Sequence, residues 1–152
     1  MTITDASDSP QVIIAGYGLP GRVVAERLSS RGVAHCVIEL NPATVQRCVK
    51  AGTSIIAGNC ADPQVLIRAG IEHAKTFIVV VPDEAAALEA TRHARQINPS
   101  LFIITRCYYT SAGIQAKSLG ADEVIVAEQV VADEVLRRTA EKWPPPSPAS
   151  PT

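Results

Sequence analysis

The most constraining feature of the sequence is the segment from Val12 to Gly21, which reads VIIAGYGLPG. Four apolar residues lead into a Gly-x-Gly-x-x-Gly motif, and a helical pattern follows the motif through Leu28. This order of strand, glycine-rich turn and helix is the setting in which the motif binds nucleotide phosphates. We expect Gly16 to form the tight turn, Gly18 to let a pyrophosphate approach, and Gly21 to let the helix pack on the strand. A glycine turn that binds nothing is the alternative.

The residues between these glycines fit the same interpretation. Pro20 suits the first turn of a helix, because its missing N–H would have no partner there. The free amides and the positive dipole end of such a helix favour a bound anion. The predicted phosphate-binding turn therefore runs from Gly16 to Gly21 and includes Tyr17 and Leu19.

An acidic residue follows the motif at a suggestive distance. The predicted second strand, 33–40, carries Glu39, which lies 18 residues after Gly21. An acidic side chain about 20 residues after the motif accepts hydrogen bonds from ribose hydroxyls. It would repel a 2′-phosphate, so NADP is disfavoured. Leu40 is predicted to line the same site, and the alternative for Glu39 is an ordinary exposed carboxylate.

The rest of the chain repeats the strand–helix alternation. Two Asx-Pro pairs, Asn41-Pro42 and Asp62-Pro63, read as helix caps followed by a first-turn proline. Further strands are predicted over 53–57, 77–81, 101–105 and 123–126, and a last helix over 130–142. Six alternating strands predict an α/β fold with an open, mostly parallel, doubly wound Rossmann-like sheet. Right-handed crossovers favour the strand order 3-2-1-4-5-6.

Ligands of such sheets bind beyond the carboxyl ends of the strands, where the strand order reverses. Several polar or small residues fall at predicted strand ends, and we assign them to the site together with the glycine turn and Glu39. These further site residues are Asn59, Cys60, Val81, Pro82 and Arg106.

Composition limits the class of protein. A chain of 152 residues predicts one domain, here 11–142, between disordered segments 1–10 and the proline-rich 143–152. The net charge of −1 does not suggest a generic nucleic-acid binder. No apolar run approaches the roughly 18 residues that span a bilayer. The first ten residues lack the parts of a signal peptide, which predicts a cytoplasmic protein.

The cysteines and histidines do not predict a metal site. The four cysteines form no C-x-x-C pair, and the three histidines lie at no metal-ligand spacing. Cys36 and Cys107 lie in apolar runs and are expected to be buried, reduced thiols. Cys60 lies near the predicted ligand, and a redox role for it is a minor alternative.

Longer segments of the chain resemble one known family. The segments are GYGLPGRVVAERL, VIELNP, GNCADPQVLIRAGIEHAKTFIVVVPDE, ARQINPSLFIITR and GADEVIVAEQVVADEVL, within 11–138. Together they resemble the N-lobe of regulator-of-potassium-conductance domains (RCK N, TrkA-N or KTN). The greatest likeness is to the cytosolic lobes of Kef-type cation/proton antiporters.

The resemblance implies a sensor of NAD(H), AMP, ADP or ATP whose paired lobes regulate a potassium channel or a transporter. It assigns the glycines to the phosphates, Glu39 to the ribose, Asn59 and Cys60 to the adenine, and Arg106 to the phosphates. Many relatives carry an arginine where Leu19 stands, so ATP is less favoured here than AMP, ADP or NAD(H). Glu128 matches an acid that in some relatives helps to bind a metal, with an ordinary N-terminal helix acid as the alternative.

Other features of the family are missing from the sequence. No ligand-binding C-lobe and no membrane segment follow, so the sequence predicts a stand-alone regulatory subunit. Its partner would be a separate membrane transporter or channel, which would hold the subunit at the inner membrane.

Three functional hypotheses remain at this point. Besides the sensor, the chain could be a small NAD-dependent oxidoreductase, although no tyrosine has a lysine four residues later to form an acid–base pair. It could also be a partner-binding module with a fixed structural nucleotide. The last helix carries an apolar stripe of Val131, Val135 and Leu136, which is expected either to pack on the chain's own sheet or to form a homodimer.

Overall fold

Six parallel strands form a single sheet in the order β3-β2-β1-β4-β5-β6, which confirms the predicted topology. The structure, a computed structural model, describes residues 9–151. The strands are β1 Val12–Ala15, β2 His35–Glu39, β3 Ile55–Ala57, β4 Thr76–Val79, β5 Phe102–Cys107 and β6 Glu123–Val126. The helices are α1 Leu19–Ser30, α2 Pro42–Lys50, α3 Pro63–Ala69, α4 Glu84–Ile97, α5 Thr110–Leu119 and α6 Ala127–Lys142.

Alternate residues of the central strands fill cores on the two faces of the sheet. On β1, Ile13 and Ala15 belong to the larger core, which also contains residues of α3, α4 and α5. Val12 and Ile14 point to the smaller core, which includes Ala25 of α1. A strand covered on both faces must be apolar throughout, which explains the uninterrupted run at the start of the chain.

Side-chain caps fix where three of the helices begin. The side chains of Asn41, Asp62 and Asp83 accept hydrogen bonds from backbone amides in the first turns of α2, α3 and α4. These caps satisfy amides that have no partner inside a helix. Because β2, β3 and β4 end just before them, the caps set the helix starts at the carboxyl edge of the sheet.

The turn between β1 and α1 depends on two of its glycines. Gly16 has a φ of +103°, and a Cβ there would lie 3.1 Å from backbone atoms of Val80 and Val81. A Cβ on Gly21 would overlap the carbonyl oxygen of Gly16. These positions therefore exclude side chains for reasons of packing, which agrees with the roles expected for the first and third glycines of the motif.

Several predicted boundaries were wrong by one to three residues. β4 ends at Val79 rather than at residue 81, although two more valines follow. The amide of Val80 still donates to the carbonyl of Ala15, which is the last hydrogen bond between the two strands, and the pairing ends there because β1 turns away at Gly16. The last helix begins at Ala127 rather than near residue 130, directly after β6.

The apolar stripe of α6 does not pack on the sheet, so the expectation of packing within the chain was wrong. No residue of α6 is buried, and Val131, Val135 and Leu136 are 63%, 59% and 68% exposed. The neighbouring face of β5 and β6 is also open, with Phe102 and Ile125 each 43% exposed. An apolar helix face therefore lies uncovered at one end of the sheet, together with a sheet face that exposes Phe102 and Ile125 beside the charged Glu123.

The chain ends differ in what the structure describes. The predicted N-terminal segment lies outside the described residues, except for residues 9 and 10. Residues 144–151 of the proline-rich tail form no helix or strand. Within 9–151, every helix is too short or too polar to cross a bilayer.

Replacing Gly21 by alanine is expected to destabilise the whole domain. The added methyl group would overlap the backbone oxygen of Gly16, which cannot move without displacing β1. We expect a loss of at least about 2–3 kcal/mol in the free energy of unfolding, as for other overpacked sites. Urea denaturation followed by circular dichroism measures this loss.

Gly18→Ala, in the same turn, is the matched control. Gly18 has a φ of −71°, and a Cβ there would meet no atom within 4 Å. The unfolding free energy of the Gly18→Ala variant should differ from that of the wild type by less than about 1 kcal/mol. Equal stability of the two variants would contradict the close packing of α1 on β1.

Candidate functional site

A cavity of about 880 Å³ opens at the carboxyl edge of the sheet, where the strand order reverses between β1 and β4. It is bordered by the glycine turn and by the segments that follow β2, β3, β4 and β5. Every residue that the sequence analysis assigned to the site lines this cavity, except Gly21. Gly21 is buried behind the turn, against Gly16.

The glycine turn leaves room beside its backbone at only one of its three motif glycines. Gly18 is the N-cap of α1 and has open space where a Cβ would stand. No side chain caps α1, and its first turn contains no acidic residue. The positive end of this helix is therefore available to an anion from outside the fold.

The carboxylate of Glu39 joins the end of β2 to the glycine turn. One oxygen, Oε2, accepts a hydrogen bond of 2.7 Å from the amide of Tyr17. The other, Oε1, accepts one of 3.1 Å from the amide of Asn41. Each carboxylate oxygen can accept a second hydrogen bond, so the group is fixed in orientation and keeps acceptor capacity toward the cavity.

The segment after β3 places a polar and a buried residue side by side. The Oδ1 atom of Asn59 accepts a hydrogen bond of 2.9 Å from the amide of Ala61, which fixes the side chain in a local turn. The side-chain nitrogen of Asn59, Nδ2, makes no hydrogen bond within the described part of the chain. Cys60 is only 4% exposed, and burial raises the pKa of its thiol to about 11.

Arg106 carries a donor without an acceptor. One terminal nitrogen of its guanidinium donates to the carbonyl of Val81 at 3.3 Å, and the group lies 5.3 Å from the ring centre of Tyr108. Its Nε atom is enclosed by protein and has no hydrogen-bond partner among residues 9–151. A buried unsatisfied donor is costly, and a small rotation of the side chain toward a ligand oxygen would relieve that cost.

Sequence reasoning missed part of the cavity wall. The additional lining residues are Ile38, Asn41, Pro42, Thr44, Gly58, Val80, Asp83, Ala86 and Tyr108. Tyr108 was missed because β5 runs two residues beyond the predicted end at Thr105, which carries the strand end to Cys107. Asn41 had been recognised only as a helix cap, although a cap at this edge also faces the cavity.

The structure gives no additional support to a metal role for Glu128. This residue lies in the first turn of α6, where an acidic side chain is favourable to the helix dipole. Among the residues described, no group of three or more histidine, cysteine, aspartate or glutamate side chains is placed to hold a metal ion.

The burial of Cys60 predicts a thiol that is unreactive near neutral pH. At pH 8 about one Cys60 thiol in a thousand is ionised, against about a quarter of ordinary thiols with a pKa near 8.5. Because the thiolate is the reactive form, native Cys60 should resist iodoacetamide at pH 8 and label after unfolding in guanidinium. Peptide mass spectrometry with both treatments measures this, and rapid labelling of the native thiol would contradict the prediction.

Comparison with known proteins identifies transport proteins as relatives. Residues 12–127 match the TrkA-N domain family. The chain is 33% identical over 114 residues to the putative K(+) efflux antiporter KefB of Alkalimonas amylolytica, covering 75% of this chain and 17% of that protein. It is 29% identical over 124 residues to the putative cation/proton antiporter YbaL of Escherichia coli, covering 82% and 22%. It is 27% identical over 127 residues to Potassium channel protein 1 of Methanocaldococcus jannaschii, covering 82% of this chain and 38% of that protein.

The chain therefore spans well under half of the length of each of these three relatives.

Among solved structures, the TrkA-N domain of the inner membrane protein ybaL from Escherichia coli superposes with a TM-score of 0.81 at 28% identity, over 86% of this chain and 96% of that one. The Shewanella denitrificans Kef CTD in its AMP-bound form superposes with a TM-score of 0.75 at 24% identity, over 88% of this chain and 81% of that one. GsuK bound to ADP superposes with a TM-score of 0.76 at 23% identity, over 90% of this chain and 35% of that one. The match over residues 12–127, on a sheet of the predicted order, shows that this chain belongs to the TrkA-N domain family.

Proposed function

We propose that the chain binds an adenine nucleotide in the larger cavity and thereby regulates a potassium channel, a potassium transporter or a cation/proton antiporter. The observation that carries the proposal is the geometry of the glycine turn. A free helix end with open space at Gly18 lies next to the fixed carboxylate of Glu39. The helix end suits a phosphate, and the carboxylate suits a ribose. The hydrogen bond from the amide of Tyr17 to the Glu39 carboxylate holds the two together.

The phosphate would rest on the start of α1. The space beside Gly18 lets phosphate oxygens approach backbone amides that no side chain occupies. Arg106 also lines the cavity, where its guanidinium is held on the carbonyl of Val81 and would be a second donor group for the same anion.

The ribose would bind at Glu39, where the carboxylate keeps one acceptor position on each oxygen. Leu40, Asn59 and Pro82 line the adjoining wall and would surround the adenine. A negative charge at the ribose disfavours a 2′-phosphate, so NADPH should bind more weakly than NADH.

The relatives support this class of ligand and partner. The AMP-bound Kef CTD and the ADP-bound GsuK share this fold, and the sequence relatives are antiporters and a potassium channel. Leu19 lacks the charge that would hold distal phosphates, which favours AMP, ADP or NAD(H) over ATP. The chain would act as a nucleotide sensor at the cytoplasmic side of a membrane cation transporter, and not as an enzyme.

The sensor would work as a homodimer. The uncovered face of α6 and the open face of β5 and β6 both expose large apolar side chains, and such exposed apolar surface marks an interaction site. A second copy presents the same surfaces and would cover both. Nucleotide binding would then change how the two copies pack, and that change would reach the transporter.

Removing the Glu39 carboxylate should weaken adenine nucleotides. Calorimetric titration should show wild-type binding of AMP, ADP and NADH. Glu39→Ala should lose about 1–3 kcal/mol with each of these ligands, as expected for a lost charged acceptor. NADPH, with its additional 2′-phosphate, should bind the wild type at least about tenfold more weakly than NADH.

Asp122→Ala is the matched control for this experiment. The Asp122 carboxylate also holds a backbone amide, that of Ile103 at 2.8 Å near the start of β5, but neither residue lines the cavity. This variant should keep wild-type affinity. Unchanged affinity in Glu39→Ala, or equal losses in the two variants, would remove Glu39 from the site.

Placing a charge on α6 should break the homodimer. Leu136→Asp puts a carboxylate on a residue that is 68% exposed in one copy, so the fold of each copy should be kept. Light scattering should give a dimer for the wild type at on the order of 50 μM protein and a monomer for the variant. Val49→Asp, at a 60% exposed position of α2, should stay dimeric. A monomeric wild type, with and without AMP, would contradict the dimer.

A further inference from the structure

A second cavity, of about 400 Å³, lies between the first turn of α1 and helix α2. The glycine turn separates it from the larger cavity, and the two share a wall formed by Tyr17, Gly18, Leu19 and Thr44. The residues that line only the second cavity are Arg22, Arg47, Cys48, Ala51 and Thr53.

Two arginines converge on this cavity, and neither is neutralised well. Arg47 donates to the hydroxyl of Thr44 at 3.2 Å and has no carboxylate within 4 Å among residues 9–151. Arg22 has one acidic neighbour, Glu26, at 3.9 Å on the exposed side of α1. An exposed pair at that distance contributes little, so both guanidiniums keep most of their capacity to bind an anion.

Neutral donors complete the wall. Thr44, Thr53 and Tyr17, which carry hydroxyl groups, also line this cavity. Burial, followed by the nearby Cys48 and Glu26, raises the pKa of the Tyr17 phenol, so the phenol stays protonated at neutral pH. A protonated phenol donates a hydrogen bond and does not repel an anion.

The surroundings of the cavity are positive. Helices α1 and α2, with their C-caps, carry five basic side chains and one acidic side chain, in a chain whose net charge is −1. The basic residues are Arg22, Arg27, Arg31, Arg47 and Lys50. Neither helix has an acidic residue in its first turn. The lining itself contains two arginines and no acidic residue, and a concave site with one sign of charge concentrates its field and attracts counter-ions.

We propose that this second cavity is a binding site for a phosphate-bearing anion, held by the guanidinium groups of Arg22 and Arg47. Guanidinium matches the planar oxygen pairs of phosphate and stays charged at every physiological pH. The threonine hydroxyls and the Tyr17 phenol supply the remaining donors. The site is separate from the proposed nucleotide cavity, and the inference stands whether or not that cavity binds adenine nucleotides.

Amide chemical shifts of the full chain, titrated with inorganic phosphate, test the proposal. Sodium chloride at the same ionic strength serves as the reference, because simple screening affects every exposed charge. Ala51 and Thr53 line only the second cavity, whereas Gly58 and Asn59 line only the larger one. Saturable shifts at Ala51 and Thr53, with a Kd in the millimolar range, are expected. Shifts confined to Gly58 and Asn59, or shifts that never saturate, would overturn the proposal.

Charge-removing variants separate a site from a generally basic surface. Arg47→Gln and Arg22→Gln should each weaken phosphate by at least about fivefold, as the loss of a charge-assisted hydrogen bond requires. Arg31→Gln removes the same charge from the C-cap of α1, outside the cavity, and should change the affinity by less than about twofold. Equal effects of all three variants would overturn the proposal. Thermal melting confirms that each variant is folded.

A vesicle experiment identifies the source of the phosphate. Cosedimentation with phosphatidylglycerol vesicles, but not with phosphatidylcholine vesicles, that is lost in Arg47→Gln would assign the site to a lipid headgroup. Saturable binding of inorganic phosphate without cosedimentation would assign it to a soluble phosphate compound. Failure of both inorganic phosphate and vesicles to bind would overturn the proposal.

Discussion

The structure depends on how closely the start of α1 approaches the end of β1. No side chain separates Gly21 from the carbonyl of Gly16, and none separates Gly16 from the backbone after β4. This contact points the free amides of α1 at the carboxyl edge of the sheet. It also brings the amide of Tyr17 within 2.7 Å of the carboxylate at the end of β2. The packing of one helix on one strand thus fixes the position of the phosphate-binding turn and of the acidic side chain beside it.

The three motif glycines have different physical roles. Gly16 and Gly21 are required by the fold, because a Cβ at either would meet backbone atoms. Gly18 is not required by the fold, since a Cβ there would enter open space at an ordinary φ. A glycine that packing does not need, at the N-cap of a helix without a side-chain cap, is explained best by a ligand that approaches the backbone. The guanidinium of Arg106, which lines the same cavity and carries an unsatisfied donor, supports the same explanation.

Most of the fold could be predicted because its signals are local. Apolar runs marked the strands, and Asn41 and Asp62 before prolines marked helix starts to the residue. Tertiary contacts caused the errors, as at the end of β4, where the apolar run continues but the pairing stops because the neighbouring strand turns away at Gly16. For the same reason, the exposure of α6 stayed one of two alternatives and the second cavity was not predicted. Both depend on how helices are placed over the sheet, and residue spacing along the chain does not encode that placement directly.

The central claim is that an adenosine phosphate binds with its phosphate on the α1 amides and its ribose on Glu39. A crystal structure of the chain with AMP, determined at a concentration that saturates binding in solution, tests it most directly. The account predicts phosphate oxygens within hydrogen-bond distance of the amides between Gly18 and Gly21, and a ribose hydroxyl on the Glu39 carboxylate. AMP bound elsewhere on the molecule, or a cavity closed by the side chains of Leu40 and Arg106, would contradict it.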